Sequence, residues 1–162
     1  DYIKGLERYA AKGEDISKVA SVASFFISRI DSAVDQLISE KSKSAQNDQE
    51  KITLENLQGK TAIANAKMAY QTYKGLINQQ NWQTLAKKGA MPQRLLWAST
   101  STKNPKYSET YYVEELIGNN TVDTIPPATY DAFKKSGKAA NTLELDLDKS
   151  KEILVQSQHQ KK

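Results

Sequence analysis

Residues 19–27 constrain the fold more than any other part of the sequence. They read VASVASFFI, a run of small, β-branched and aromatic residues that is apolar on both sides of an extended chain. Strands of this composition are typical of parallel sheets, which are covered on both faces. Apolar residues then recur at helical spacing, at Ile30, Val34, Leu37 and Ile38. The sequence therefore predicts a buried strand that passes directly into a helix.

Two further apolar runs predict strands, over residues 94–99 and 121–125. Pro92 precedes the first run, and Pro126 and Pro127 stop the second, because proline supplies no amide hydrogen to a sheet. Strands of low polarity that alternate with amphipathic helices are typical of an α/β fold with a parallel sheet. We expect that fold class here, with three parallel strands and flanking helices.

Amphipathic patterns predict the helices, the longest of them over residues 61–77. The other helices are expected near residues 1–12, 30–38, 82–89, 112–117 and 127–133, and in the segment after residue 143. In that last segment a strand over residues 143–147 is an alternative. Residues 39–51 are polar and of low complexity, and are expected to form a helix tail and a solvated connection. Residues 156–162 are expected to form a polar tail.

The predicted sheet is small for a parallel fold. Parallel sheets need cover on both faces and neighbours at both edges, and three strands leave both edges without a partner. The chain also opens inside a helical pattern, without a methionine. We therefore expect that part of the sheet is missing and that the sequence is cut from something longer.

Composition excludes several kinds of site. The chain has no cysteine and one histidine, which excludes disulfides, thiolate metal sites and histidine-based triads, the more so because His159 lies in the polar tail. No segment is long and apolar enough to span a bilayer, and residues 1–15 lack the apolar core of a signal peptide. The net charge of +4 comes from lysines interleaved with acids, without the basic stripe of nucleic-acid modules. We expect no membrane or nucleic-acid partner.

Polar residues at the carboxyl ends of parallel strands are the ones that face a site in α/β folds. At the end of the first predicted strand, Ser24 is followed five residues later by Arg29. A hydroxyl and a guanidinium at one strand end can together hold a phosphate. The alternative is that Arg29 forms a surface ion pair with Asp31 or Asp35, and the spacing alone favours that alternative.

A second polar cluster, residues 99–104, follows the second predicted strand. The hydroxyl of Ser99, the backbone amides and Lys103 can line an anion site, and the alternative is a polar turn built on Asn104 and Pro105. We do not interpret Lys103 as a Schiff-base nucleophile, since such a lysine needs a depressed pKa. A third cluster, residues 124–129, is expected to shape the rim.

Tyrosines and acids elsewhere are given structural interpretations. The tyrosines at positions 107, 111 and 112 are expected in a core or interface. Glu114 and Glu115 are neighbours on a helix, so their side chains point in different directions and form no acid/base pair. The sequence holds no phosphate-cradling glycine loop, no metal-ligand spacing and no nucleophile elbow. The residues alone therefore predict an anion-binding α/β fold without catalytic or metal-ligating residues.

Three ordered motifs resemble a known family, the longer bacterial-type transaldolases. Residues 19–31 (VASVASFFISRID) resemble the sixth barrel strand of that family, and residues 96–105 (LWASTSTKNP) resemble its seventh strand and loop. Residues 112–118 (YVEELIG) and 121–129 (TVDTIPPAT) resemble the following helix and the eighth strand. The similarity runs over residues 1–155. It implies the C-terminal part of a (β/α)8 TIM barrel, followed by the polar tail.

The resemblance also implies roles for individual residues. Ser24 and Arg29 match the pair that holds the phosphate of the sugar phosphate, which favours the anion site over the surface ion pair. Ser99 matches another serine near this pocket. Lys103 stands near the position where other transaldolases place an arginine. These four residues form the expected phosphate-binding set.

The family reaction moves a dihydroxyacetone unit from a ketose phosphate to an aldose phosphate in the cytoplasmic pentose phosphate pathway. Fructose 6-phosphate, sedoheptulose 7-phosphate and erythrose 4-phosphate are its class of substrates, and it uses a lysine Schiff base without metal or cofactor. By the resemblance, that lysine lies on the fourth strand and its helping carboxylates lie on the first and third. No segment of this chain resembles those strands, so the resemblance implies no catalytic residue here.

Two hypotheses follow from this resemblance. The chain is either a transaldolase portion that supplies the phosphate subsite to an active barrel, or a catalytically silent sugar-phosphate-binding or assembly module. The first hypothesis requires an N-terminal half-barrel partner that carries the lysine. Without a partner, the exposed edges of the sheet predict self-association. A gene fragment, one half of a split enzyme, a cloned or proteolysed piece and a diverged standalone protein all remain open as the origin of the chain.

Overall fold

The computed structural model describes residues 1–159. In chain order its elements are α1 (Tyr2–Ala11), a 3-10 turn (Ile16–Lys18), β1 (Val22–Phe26), α2 (Ile27–Lys43), α3 (Asp48–Glu55), α4 (Thr61–Ile77), α5 (Gln80–Ala86), β2 (Arg94–Ala98), α6 (Tyr111–Glu115), β3 (Thr121–Asp123), α7 (Pro127–Ser136) and α8 (Leu147–His159). The three predicted strands are confirmed, each somewhat shorter than its apolar run.

The strands form one parallel sheet in the order β1-β2-β3. The register places Phe25 beside Trp97, and Trp97 beside Asp123. Because the strands are parallel, the chain crosses back between them, through α2 to α5 after β1 and through α6 after β2. The α/β prediction is confirmed, and the arrangement is that of part of a TIM barrel.

Helices cover one face of this sheet. The side chains of Ala23, Phe25, Leu95 and Trp97 alternate along β1 and β2 on the same face and pack with Tyr70 and Tyr73 of α4. Trp97 is almost fully buried, and its Nε1 donates a hydrogen bond to the Leu116 carbonyl at 3.0 Å. This packing fixes β2 against the helices that connect the strands.

The opposite face of the sheet is open among the described residues. Val22 and Phe26 are 41% and 44% exposed, and Ser24, between them on the same face, is exposed as well. The prediction that the first strand is buried on both faces is therefore wrong for this part of the chain. Helices of residues 1–159 pack on one face only, so apolar residues of the other face meet solvent.

A helix that the sequence pattern did not predict begins in the stretch expected to be a polar connection and extends beyond it. α3 (Asp48–Glu55) is capped by Asn47, whose side chain accepts from the Glu50 amide. Its buried Leu54 packs with Ile38 of α2 and with Leu57. This short polar helix is stabilised because Leu54 is buried among apolar neighbours and the Asn47 side chain caps one of its free amides.

The C-terminal segment is helical and contains no strand within the described residues. Leu143 is fully buried, and its amide donates to the Ile117 carbonyl at 3.0 Å rather than to a strand. The alternative of a strand over residues 143–147 is therefore wrong. α8 continues through Gln156 to His159, so the helix includes the first part of the predicted polar tail. Residues 160–162 of that tail lie outside the described residues.

No helix within residues 1–159 combines the length and the apolar character that a membrane crossing requires.

Candidate functional site

The first strand passes into its helix without a loop. Phe26 ends β1 and is also the N-cap of α2, so Arg29 lies in the first turn of that helix. The carboxyl ends of parallel strands lie at one edge of the sheet, where barrels of this class place their sites. The structure therefore places Arg29 at that edge, whereas Ser24 lies in the middle of β1 and not at its end, where the sequence predicted it.

The Arg29 guanidinium is exposed and stacks on an aromatic ring. Its Cζ lies 4.9 Å from the centroid of the Phe26 ring, a cation–π distance. Among residues 1–159 no carboxylate lies within ion-pair distance of Arg29. Asp31 and Asp35, the predicted partners, are engaged elsewhere. The prediction of a surface ion pair between Arg29 and Asp31 or Asp35 is therefore wrong. The hydrogen-bond donors of Arg29 are available to a ligand.

Ser99 joins the end of β2 to the start of α2. Its carbonyl accepts a hydrogen bond from the Ser28 amide at 3.0 Å, next to Arg29 in the chain. Ser99 also has a φ of 57°, a left-handed conformation that is uncommon for residues other than glycine. Backbone strain of this kind is concentrated at functional positions. The hydrogen bond between Ser28 and Ser99 thus joins the end of β2 directly to the turn of α2 that carries Arg29.

Lys103 lies in the loop that follows Ser99, exposed and without an ion pair among the described residues. The next residues form a turn, in which the Tyr107 amide donates to the Asn104 carbonyl at 3.1 Å. The Asn104 side chain accepts from the Lys106 amide at 3.0 Å. The alternative of a polar turn is confirmed for residues 104–107, and it leaves Lys103 itself at the start of the turn.

Asp123 is a residue of this edge that the sequence analysis missed. It ends β3, and its Oδ1 accepts from the hydroxyl of the fully buried Thr100 at 2.9 Å. Burial raises the pKa of Asp123 to about 6, against the lowering effect of that hydrogen bond. The only signal in the sequence was an acid inside an otherwise apolar run. The predicted third cluster begins one residue later, where the Thr124 amide donates to the Trp97 carbonyl.

Two more acids lie one turn apart on α2, Asp31 fully buried and Asp35 half-buried. The Oδ1 of Asp31, which is 1% exposed, accepts from the Ala62 amide at 2.7 Å. The Oδ1 of Asp35 accepts from the Gly59 amide at 2.9 Å. Burial raises the pKa of Asp31 to about 6 and raises the pKa of Asp35 as well. Both carboxylates therefore tie α2 to the start of α4 and are not free to act on a ligand.

The three neighbouring tyrosines pack into the same region. Tyr112 is 3% exposed in the main core, and the rings of Tyr107 and Tyr111 lie 5.3 Å apart. Burial raises the pKa of Tyr107 to about 12, and it also raises the pKa of Tyr111 and Tyr112. These hydroxyls are therefore neutral donors at physiological pH. The core interpretation is confirmed for Tyr112 and for Tyr111, which packs against the same core.

The acid pair on α6 divides between two partners. Glu114 Oε1 accepts from the Thr110 hydroxyl at 2.7 Å, whereas Glu115 Oε2 pairs with the buried Lys67 at 3.2 Å. The two carboxylates therefore do not form an acid/base pair. This agrees with the prediction from the sequence.

A cavity with a mainly apolar wall lies away from this edge. It measures about 630 Å³ between α2, α4 and α8, with Val34, Leu57 and Leu154 among its residues. None of the four predicted phosphate ligands lines it. No group of three or more acids and histidines within residues 1–159 is arranged to hold a metal ion. The strand edge thus offers an unpaired guanidinium and hydroxyl groups, which suit an oxyanion.

Comparison with known proteins agrees with the motifs and the fold. The family model described as Transaldolase/Fructose-6-phosphate aldolase matches residues 5–162. A transaldolase of Trichodesmium erythraeum (strain IMS101) is 57% identical over 153 residues, covering 94% of this chain and 40% of that protein. Transaldolase 2 of Nostoc sp. (strain PCC 7120 / SAG 25.82 / UTEX 2576) is 51% identical over 157 residues, again covering 94% and 40%.

A third relative, a transaldolase of Parafrankia sp. (strain EAN1pec), is 48% identical over 136 residues, covering 84% of this chain and 35% of that protein. The chain spans about 40% of the length of the first two relatives. The family match extends over nearly the whole sequence and includes every segment of the strand edge described above. The chain therefore belongs to the transaldolase/fructose-6-phosphate aldolase family.

Proposed function

We propose that this chain forms the phosphate-binding side of a transaldolase active site. The reaction of that site transfers a dihydroxyacetone unit between sugar phosphates of the pentose phosphate pathway, in the cytoplasm. The observation that carries the proposal is the unpaired Arg29 guanidinium at the carboxyl edge of the sheet, in a chain of this family. An exposed arginine without an acid partner retains all of its donors for a phosphate.

Each of the four residues has a distinct role in this proposal. Arg29 supplies the permanent charge and a forked set of donors that match two phosphate oxygens. Ser24 and Ser99 supply neutral hydroxyl donors from β1 and from the end of β2. Lys103 supplies a second, more mobile charge from the loop. The bond between Ser28 and Ser99 keeps the two segments that carry these groups next to each other.

The covalent chemistry is proposed to come from outside this chain. Family resemblance puts the Schiff-base lysine and its helping carboxylates on barrel strands that no segment here matches. The buried acids of the described residues are bonded to backbone amides or hydroxyls and support the fold. We infer that a half-barrel that carries the lysine completes the enzyme. Its strands would pair with the open edges of β1 and β3 and cover the exposed face with Val22 and Phe26.

A titration with fructose 6-phosphate tests the phosphate-binding role. Replacing Arg29 by alanine removes a charge-assisted contact, and we expect the affinity to fall by about 10- to 100-fold. Arg8→Ala is the matched control, because Arg8 is an exposed arginine in the last turn of α1. The control is expected to bind like the unaltered chain. Equal affinity of the Arg29 variant and the unaltered chain would contradict the proposal.

Activity separates the proposal from a silent binding module. A complex with a lysine-bearing half-barrel should transfer the three-carbon unit, and Arg29→Ala should lower its kcat/KM by a similar factor. A partner-bound complex that binds sugar phosphate and shows no transfer would favour the silent module.

A further inference from the structure

One glycine residue, Gly59, forms backbone hydrogen bonds to both α2 and α6. The Gly59 amide donates to Asp35 Oδ1 of α2 at 2.9 Å, and the Gly59 carbonyl accepts from the Tyr111 hydroxyl of α6 at 3.1 Å. The Tyr107 hydroxyl, at the end of the loop after β2, donates to Asp35 Oδ2 at 3.3 Å. The four residues form a closed set of contacts, which we call the Gly59 clasp.

Glycine is required at the centre of this clasp for two independent reasons. Its φ is +70°, a conformation that residues with a side chain rarely adopt. A Cβ atom at this position would also lie 2.5 Å from the Tyr107 ring and hydroxyl, which is closer than atoms can approach. The ring of Tyr107 therefore packs directly on the Gly59 backbone. This contact fixes where the loop after β2 ends.

The same loop is anchored at its beginning. The Ser99 carbonyl is bonded to the Ser28 amide at 3.0 Å, and the buried Thr100 hydroxyl is bonded to Asp123 at 2.9 Å. Residues 101–106, which include Lys103, span the interval between these bonds and Tyr107. Asp35, which holds the far end, lies on the same helix as Arg29. The Gly59 clasp thus connects the loop that carries Lys103 to α2, the helix that carries Arg29.

We propose that Tyr107 is a positioning residue of the phosphate subsite, which acts through Lys103. By binding Asp35 and Gly59 it holds residues 101–106 over the edge of the sheet, so that the Lys103 ammonium approaches the same anion as Arg29. This role rests on the proposed phosphate-binding function. It extends that function, because Tyr107 touches no ligand itself and its effect depends on the loop.

A double-mutant cycle with fructose 6-phosphate tests this role. We expect Lys103→Met to lower the affinity by about fivefold, since it removes a charged contact to the phosphate. Tyr107→Phe should lower it by about threefold, since it removes the hydrogen bond to Asp35 that positions the loop. The double variant should bind no more weakly than Lys103→Met, because a residue that acts only through Lys103 has no effect once that lysine is gone. Tyr130→Phe, which removes the hydroxyl of an exposed tyrosine on α7, is the matched control and should bind normally.

Amide hydrogen exchange gives a second reading that does not need the ligand. Tyr107→Phe should speed exchange within residues 101–106 and leave α4 and the sheet unchanged. Unchanged exchange in the loop would overturn the positioning role alone. The same conclusion would follow if Tyr107→Phe lowered the affinity as much in the Lys103→Met variant as in the unaltered chain. Failure of the unaltered chain to bind fructose 6-phosphate would overturn the proposed function together with this role.

Discussion

Replacing Asp31 by asparagine should stabilise the fold at neutral pH. The carboxylate is 1% exposed, and burial raises its pKa from 3.8 to about 6. The folded state therefore holds this proton more tightly than the unfolded state does. Stability from this group is fully present below pH 3.8 and is lost as the pH rises through 6. Above that window the buried charge destabilises the native chain.

The size of the expected gain in stability follows from the rise in the pKa of Asp31. A difference of about two pKa units corresponds to about 3 kcal/mol, at about 1.4 kcal/mol per unit. Asparagine keeps an acceptor for the Ala62 amide, which now bonds to Asp31 at 2.7 Å, and places its NH2 group near the Tyr112 hydroxyl. Since the charged hydrogen bond to Ala62 is weakened in the variant, we expect a net gain of about 1–3 kcal/mol at pH 8.

Urea unfolding at pH 8 and at pH 4 provides the assay. The gain of Asp31→Asn should be largest at pH 8 and should vanish or change sign near pH 4, where the native aspartic acid is already protonated. Asp148→Asn is the matched control, because the Asp148 side chain is 94% exposed on α8, and it should change stability little at either pH. A loss of stability of equal size at both pH values would contradict this prediction.

Two further predictions concern the hydrogen bond of Thr100 and a leucine of the main core. Thr100→Val removes the donor to Asp123 Oδ1, so the pKa of Asp123 should rise above its value of about 6, as measured by carboxyl NMR titration; an unchanged pKa would contradict this. Leu143→Ala should lower the free energy of unfolding in urea by about 2–5 kcal/mol, because Leu143 is fully buried in the main core. A loss below about 1 kcal/mol would show that the core closes around the smaller side chain.

The order of the elements followed from local patterns in the sequence. The apolar runs predicted all three strands, and Pro127 at the first position of α7 marks a helix start that was recognised correctly. Gly13 follows α1 with a φ of +80°, as expected after a helix end. These signals depend on residues that are close in sequence, and for that reason a single sequence carries them.

The sequence did not predict the contacts that residues near the site make with residues far away in the chain. The spacing of Arg29, Asp31 and Asp35 favoured an ion pair, but both acids turn inward to amides of Gly59 and Ala62. The Gly59 amide lies 24 positions from Asp35, and no local pattern predicts that contact. Exposure of one face of β1 has a similar origin, since burial depends on which other segments pack against a strand.

The pairing of Thr100 with Asp123 was also hidden in the sequence. The two residues are 23 positions apart, and they meet only because β2 and β3 are neighbours in a fixed register. By contrast, the candidates Arg29 and Ser99 were found because each lies close to a strand end that the apolar pattern marks. A single sequence therefore predicts the edge on which a site lies better than the contacts that hold it.

In the proposed function, this chain holds the phosphate of a sugar phosphate and does not itself form the Schiff base. The most direct test is to reduce the purified chain with borohydride at saturating fructose 6-phosphate and to measure the mass of the intact protein. We predict an unchanged mass, together with reversible binding that depends on Arg29. A mass increased by a reduced three-carbon or sugar adduct would contradict this prediction, and would show that a lysine of this chain, with Lys103 as the first candidate, performs the covalent chemistry.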